Sequence, residues 1–222
     1  SPGAKAVSVA DVAVGLMTAS VRGFHAAELR LRSGEWQGNA AQRIRPRRGL
    51  AGRRLGIFGM GAIGREIAGR ARAFGMQVGY HNRRRRAGED AAYFATLPAL
   101  ADWCDVLMVA VRASDATQHA VDAAILAALG PDGHVINIAR GSVIDEAALI
   151  DALARGTIGG AGLDVYEHEP VVPPALLALP NVVALPHIGG ASQDAQAAMQ
   201  AMVIANLDAF FAGESLPTPV AG

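Results

Sequence analysis

Four polar side chains follow three successive apolar runs of the chain: Arg140, then Asp164 and Glu169, then His187. An arginine can clamp a carboxylate and polarise a neighbouring carbonyl group. A histidine can donate a proton to the oxygen of that carbonyl, and a carboxylate beside the histidine would orient the ring and stabilise its charged form. Each residue alone has an ordinary structural interpretation, as a surface ion pair or a hydrogen-bonded loop residue. Their joint placement favours acid–base chemistry on a small keto acid.

The elements that would position these side chains alternate along the chain. Short apolar runs occur at 55–59, 76–80, 105–111, 134–139, 160–165 and 182–186. Helices are predicted at 9–33, 117–129, 145–155 and 189–212, and after the first run, where Ile63, Ile67, Ala71 and Phe74 share one helical face. Unbroken apolar strands alternating with helices predict an α/β fold, a doubly wound parallel sheet of the Rossmann type. Such sheets bind ligands at the carboxyl ends of their strands.

A glycine-rich loop, GMGAIG at 59–64, connects the first apolar run to the helix that follows. Because strand, loop, helix and second strand occur in order, the pattern predicts a dinucleotide site rather than a chance match. Gly59 would permit the tight turn, Gly61 the close approach of a pyrophosphate, and Gly64 close packing of helix on strand. Together with Ala62 and Ile63 at the helix N-terminus, these glycines are the predicted phosphate-binding residues.

The stretch HNRRRR after the second apolar run predicts which dinucleotide is preferred. An acidic residue that would accept hydrogen bonds from the adenosine ribose is expected here, but the position holds Asn82. Arg83 and Arg84 follow and can pair with a 2′-phosphate, so NADPH is predicted over NADH. Arg85 and Arg86 are predicted to face solvent. A nucleic-acid interface is the weaker interpretation, because no aromatic residues are interleaved.

Composition excludes several functional classes. The chain has 222 residues, of which 51% are hydrophobic, and a formal net charge of +0, which argues against a nucleic-acid-binding protein. No run is long enough to span a membrane. The single cysteine, Cys104, predicts a buried thiol and a reducing, cytoplasmic setting. No spacing predicts a metal site, and five histidines are predicted to be structural or solvent-facing: His25, His81, His119, His134 and His168.

In combination and order, the motifs resemble the D-2-hydroxyacid dehydrogenase family. They are SVADVAVGLM, GEW, GMGAIG, NIARGSVIDEAAL, GAGLDVYEHEP and LPHIGG. The resemblance implies that Arg140 binds the substrate carboxylate, Glu169 partners the histidine, His187 is the acid–base catalyst and Asp164 contacts the nicotinamide carboxamide. With Asn82 and Arg83 at the ribose, the chain is most similar to the NADPH-preferring branch that reduces glyoxylate and hydroxypyruvate to D-2-hydroxy acids.

The resemblance also implies a domain organisation. Residues 1–187 would form the dinucleotide-binding domain, with 1–54 as a helix and connection at a homodimer interface. Residues 188–222 would be the C-terminal helix and tail of an incomplete substrate domain, because family members begin with a further N-terminal segment of about a hundred residues. Where many members have proline, this chain has Arg112, which could reach the cofactor or the substrate.

Two other functions stay open on the sequence. One is a dinucleotide-binding interaction module of the same fold without useful turnover. The other is an NAD-dependent formate- or phosphite-oxidising relative, against which Asn82 argues.

Overall fold

A computed structural model describes residues 5–36 and 46–219. The helices are α1 (Ala6–Arg22), α2 (Phe24–Arg32), α3 (Ala62–Ala73), α4 (Leu97–Trp103), α5 (Ala123–Leu129), α6 (Glu146–Ala154), α7 (Pro174–Leu177) and α8 (Gln193–Ala212). The strands are β1 (Arg54–Phe58), β2 (Gln77–His81), β3 (Ala92–Phe94), β4 (Val106–Val109), β5 (His134–Asn137), β6 (Gly160–Leu163) and β7 (Val182–Ala184). Short 3₁₀ turns lie at Asp115–Thr117 and Gly141–Val143.

All seven strands form one parallel sheet in the order β3-β2-β1-β4-β5-β6-β7, which confirms the predicted doubly wound fold. Strand β1 lies between β2 and β4, where Ile57 is opposite Tyr80 on one side and Met108 on the other. Because the strands are parallel, their carboxyl ends meet at one edge. The glycine-rich loop and the predicted catalytic residues therefore project from the same side of the molecule.

Helices cover both faces of the sheet and enclose two apolar layers. One layer combines residues of α1 and α3 with side chains such as Leu55 and Ile57 of β1. The other combines α4, α5 and α6 with side chains such as Leu107 and Val135. The strand residues are apolar on both faces because both are buried, which explains why the sequence shows unbroken apolar runs instead of alternation. Cys104 is buried, as predicted, and burial raises the pKa of its thiol to about 12.

Several predicted boundaries were wrong. The helix expected at 9–33 is two helices, because Gly23 takes a left-handed conformation (φ 67°) and ends α1. The helix expected at 117–129 begins only at α5, where Asp122 caps Ile125. Phe74 lies beyond α3 and is 44% exposed, so it does not share the buried face of Ile67. Strand β3 was missed because an edge strand of three residues carries little apolar signal. Part of the predicted connection, 37–45, lies outside the described residues.

Within the described ranges, no single helix is long and apolar enough to cross a membrane. One bent pair, α1 with α2, passes the same test of length and composition. Helix α1 packs against the sheet, where Ala10, Ala13 and Met17 are fully buried, so the apolar character of this helix has a structural explanation.

Candidate active site

The glycine-rich loop has the geometry that its sequence predicted. Gly59 has φ 107°, and a Cβ atom there would approach the backbone nitrogen of Val111 to 2.5 Å, so the loop passes directly over the end of β4. At Gly64, a Cβ atom would collide with the carbonyl oxygen of Gly59 and contact Ile57, which is the predicted close packing of helix on strand. At Gly61 a Cβ atom would meet nothing. The open space at Gly61 and the N-terminus of α3 fit an approaching pyrophosphate.

Asn82 is attached to this loop. Its side-chain oxygen accepts a hydrogen bond from the backbone N–H of Met60 at 2.8 Å, so the amide N–H groups are directed away from the loop. Arg83 and Arg84 are exposed beside it, and neither forms an ion pair with the part of the chain that the structure describes. The end of β2 therefore presents neutral and positive groups, and no carboxylate at position 82, to a ligand bound at the glycine-rich loop.

Arg140 is held at the end of β5 by its own loop. The side-chain oxygen of Asn137 accepts from the N–H of Ala139, and the side-chain amide donates to the carbonyl oxygen of Arg140, each at 3.0 Å. A Cβ atom at Gly141 would collide with the backbone of Tyr166. Only glycine lets these two loops approach so closely, and this approach brings Arg140 toward the loop after β6. The Arg140 side chain is exposed.

Glu169 and His187 form a direct pair. Oε2 of Glu169 lies 2.7 Å from Nδ1 of His187, and the N–H of Tyr166 donates to Oε1 at 3.0 Å. Partial burial acts to raise the pKa of Glu169, but the hydrogen bonds from His187 and Tyr166, together with the positive charges of His187 and Arg140, hold the pKa below its ordinary value. His187 and Glu169 are therefore bonded directly, and the charge of Arg140 acts on Glu169. The occupied Nδ1 leaves Nε2 of the imidazole for a substrate.

Asp164 has a structural contact that the sequence did not predict. It is almost fully buried, and its two oxygens accept the backbone N–H groups of Ile188 and Gly189, each at 2.8 Å. His187, immediately before them, has a left-handed backbone (φ 54°), which is costly for a residue with a Cβ atom. Asp164 thus holds the turn that presents the histidine ring. Its predicted contact with the nicotinamide carboxamide stays a prediction.

A second histidine–carboxylate pair was also missed. Nε2 of His119 lies 2.7 Å from Oε1 of Glu167, and the N–H of His119 donates to the carbonyl oxygen of Ser142 at 2.8 Å. These bonds join the loop after β4 to the loops after β5 and β6. The sequence signal was weak, because His119 and Glu167 are 48 positions apart.

Two other histidines lie where the sequence predicted. His134 is buried, as a structural residue should be, and His168 is exposed to solvent. No group of residues suited to a metal ion occurs in the described ranges.

Comparisons with known proteins find similar sequences and similar folds. A family model described as D-isomer specific 2-hydroxyacid dehydrogenase, NAD binding domain, matches residues 14–189. A 2-ketogluconate reductase of Gluconobacter oxydans is 43% identical over 212 residues, which cover 96% of this chain and 67% of that protein. A glyoxylate/hydroxypyruvate reductase of Arabidopsis thaliana is 42% identical over 212 residues, which again cover 96% of this chain and 67% of that protein.

Among solved structures, an NADPH-dependent glyoxylate/hydroxypyruvate reductase from Sinorhizobium meliloti, in complex with NADP and malonate, matches with a TM-score of 0.90 and 45% identity. The match covers 100% of this chain and 69% of that one. The chain thus spans about two thirds of the length of the relatives it matches.

Proposed function

Because the chain belongs to the D-isomer specific 2-hydroxyacid dehydrogenase family, we propose that it uses NADPH to reduce a small 2-keto acid of the glyoxylate or hydroxypyruvate type to the D-2-hydroxy acid. The observation that carries the proposal is the 2.7 Å pair of Glu169 and His187, with the charge of Arg140 acting on it. The names of two relatives, from Arabidopsis thaliana and Sinorhizobium meliloti, support the substrate class.

In this proposal each catalytic residue has one role. Arg140 binds the substrate carboxylate through its planar guanidinium and draws electron density from the adjacent carbonyl. His187 holds a proton at Nε2 and donates it to the carbonyl oxygen, while Glu169 at Nδ1 fixes the ring and stabilises its charged form. The bound nicotinamide supplies the hydride that the keto carbon accepts. Gly59, Gly61, Ala62, Ile63 and Gly64 bind the phosphates.

The preference for NADPH is supported by the charges at the end of β2. A carboxylate at position 82 would repel a 2′-phosphate, whereas the amide of Asn82, whose oxygen is already bonded to Met60, can only offer N–H groups. Arg83 and Arg84 add two exposed guanidinium groups. A charge-assisted hydrogen bond contributes about 1.5–3 kcal/mol, enough for a preference of tenfold or more.

The domain assignment is likewise proposed. Residues 1–187 would be the dinucleotide-binding domain and 188–222 the part of the substrate domain that this chain contains. Helix α8 supports the division, because only Ala195 and Ala209 are buried while five large apolar side chains are half-exposed or more. They are Val203, Ile204, Leu207, Phe210 and Phe211.

We also propose a homodimer formed through residues 1–54. Large apolar side chains stand exposed on this segment, notably Phe24, Leu29 and Leu31 of α2 and the nearby Trp36, whose side chain is 60% exposed. Isolated exposed apolar residues are common, but a group of this kind is typical of a subunit interface. Light scattering should give twice the mass of the chain, and a monomeric mass would refute this part.

Fluorescence titration of the chain with NADPH and NADH tests the cofactor assignment directly. We expect NADPH to bind at least tenfold more tightly, and the double variant Arg83→Ala/Arg84→Ala to lose that preference. The matched control is Arg85→Ala/Arg86→Ala, which removes the same charge from the neighbouring positions and should keep the preference. Equal affinities of the unsubstituted chain for NADPH and NADH would refute the cofactor assignment.

Glyoxylate-dependent NADPH oxidation tests turnover, and binding without turnover would favour the interaction-module alternative.

A further inference from the structure

The loop after β4 is part of the wall of the dinucleotide crevice. The backbone of Ala110 and Val111 lies so close to Gly59 that a Cβ atom there would come within 2.6 Å of either residue. The N–H of Ala110 also donates to the carbonyl oxygen of Phe58 at 2.8 Å. Arg112, the next residue along, therefore begins beside the glycine-rich loop, on the side opposite to the end of β2.

The position of Arg112 is held by its own loop. The Thr117 hydroxyl lies 3.2 Å from the carbonyl oxygen of Arg112 and accepts from the N–H of Ser114 at 2.8 Å. Farther along, His119 is bonded through its ring to Glu167 and through its backbone to the loop after β5. The segment is thus anchored at both ends, so the backbone that carries the arginine would need little ordering when a ligand binds.

The charge of Arg112 has no counterpart in the described parts of the chain. The side chain is exposed and joins none of the ion pairs found there, whereas arginines on other surfaces, such as Arg70 and Arg155, pair with acidic neighbours. An unpaired guanidinium beside an open glycine loop and a helix N-terminus favours an anion. The dinucleotide would bring its pyrophosphate to this loop, and its adenosine ribose to Asn82 on the far side.

We infer that Arg112 binds the pyrophosphate of the dinucleotide and so increases affinity for NADPH and NADH alike. The inference rests on the proposed function only in that a dinucleotide occupies the crevice. It divides the basic residues into two groups with different effects. Arg83 and Arg84 discriminate between the cofactors through the 2′-phosphate, and Arg112 contributes to the binding of both.

Titration of the variants with both cofactors, followed by nicotinamide fluorescence, tests this division. Arg112→Ala should weaken NADPH and NADH by a similar factor, about tenfold or more, and leave their affinity ratio within about twofold of the original. Arg112→Lys should retain part of the affinity because it keeps the charge. The factor lost in Arg112→Ala should shrink from about 0.05 M to about 0.5 M salt, since salt screens the contact. Arg155→Ala, which removes an exposed arginine that is paired with Asp151, is the control and should leave both affinities unchanged.

Each other outcome is decisive. Unchanged affinities in Arg112→Ala would overturn the inference, while an NADPH preference in the original chain would leave the proposed function standing. A loss confined to NADPH would also overturn it and assign Arg112 to the 2′-phosphate. An equal loss that salt does not alter would indicate contact with the adenine ring instead. Equal affinities in the original chain, with a loss in Arg112→Ala, would refute the NADPH preference and keep the inference. Circular dichroism of each variant checks that it is folded.

Discussion

Acid should destabilise this fold through one buried histidine. His134 is 4% exposed on β5, and its Nδ1 lies 2.9 Å from the hydroxyl of Ser20 on α1. Burial, followed by the positive charges of Arg53 and Arg47, lowers the pKa of His134 to about 4. In the unfolded chain the imidazole takes up a proton near pH 6.5. Between these two values the unfolded state binds the extra proton, so the free energy of unfolding must fall as the pH falls.

The size of the effect follows from the shift. A pKa lowered from the ordinary value of 6.5 to about 4, at about 1.36 kcal/mol per pH unit, corresponds to about 3 kcal/mol. This contribution is complete above pH 6.5 and is lost progressively down to about pH 4. It is a large part of the roughly 5–15 kcal/mol by which a domain is stable. His134→Gln removes the titration and retains a group that can bond to Ser20.

Urea unfolding of the original chain and of His134→Gln, at several pH values from about 7 to about 4, provides the measurement. Carboxylates that also titrate in this range contribute equally to both proteins, so they cancel in the difference. We expect the original chain to lose about 3 kcal/mol more than the variant across the range. If the free energies of unfolding of the two proteins fell in parallel with pH, the reasoning would be refuted, because His134 would then gain its proton as readily in the folded protein as in the unfolded one.

Three further substitutions test the loops of the candidate site. Gly64→Ala should destabilise the protein by about 1–3 kcal/mol in urea unfolding and weaken NADPH binding, because its methyl group would collide with the glycine-rich loop; unchanged binding would contradict the packing. Glu167→Gln should lower the free energy of unfolding by roughly 1 kcal/mol by weakening the bond to His119, and an unaltered melting curve would count against that pair as an anchor. Glu169→Gln should reduce glyoxylate turnover about 100-fold or more with cofactor affinity unchanged, because His187 loses the charge that orients it; a KM effect alone would argue against this role.

The sequence alone predicted the main elements and named the candidate site residues. The apolar runs are unbroken because their strands are buried on both faces, and this local pattern identifies a parallel sheet covered by helices. The glycine-rich loop could be predicted because turn, close approach and packing each demand glycine at a known spacing. Residues following strand ends could be assigned to one edge because parallel strands share their direction.

The tertiary structure decided which contacts hold the site beyond the pair of Glu169 and His187. Asp164 lies near His187 in the site. Its hydrogen bonds from the backbone N–H groups of Ile188 and Gly189 depend on a turn that the periodicity of the sequence does not predict. The pair of His119 and Glu167 joins two loops whose separation in sequence conceals their contact. Sequence patterns report the burial and conformation of each segment, since these depend on near neighbours. Contacts between distant loops depend on how the segments pack, and for this reason the anchoring of the site had to come from the structure.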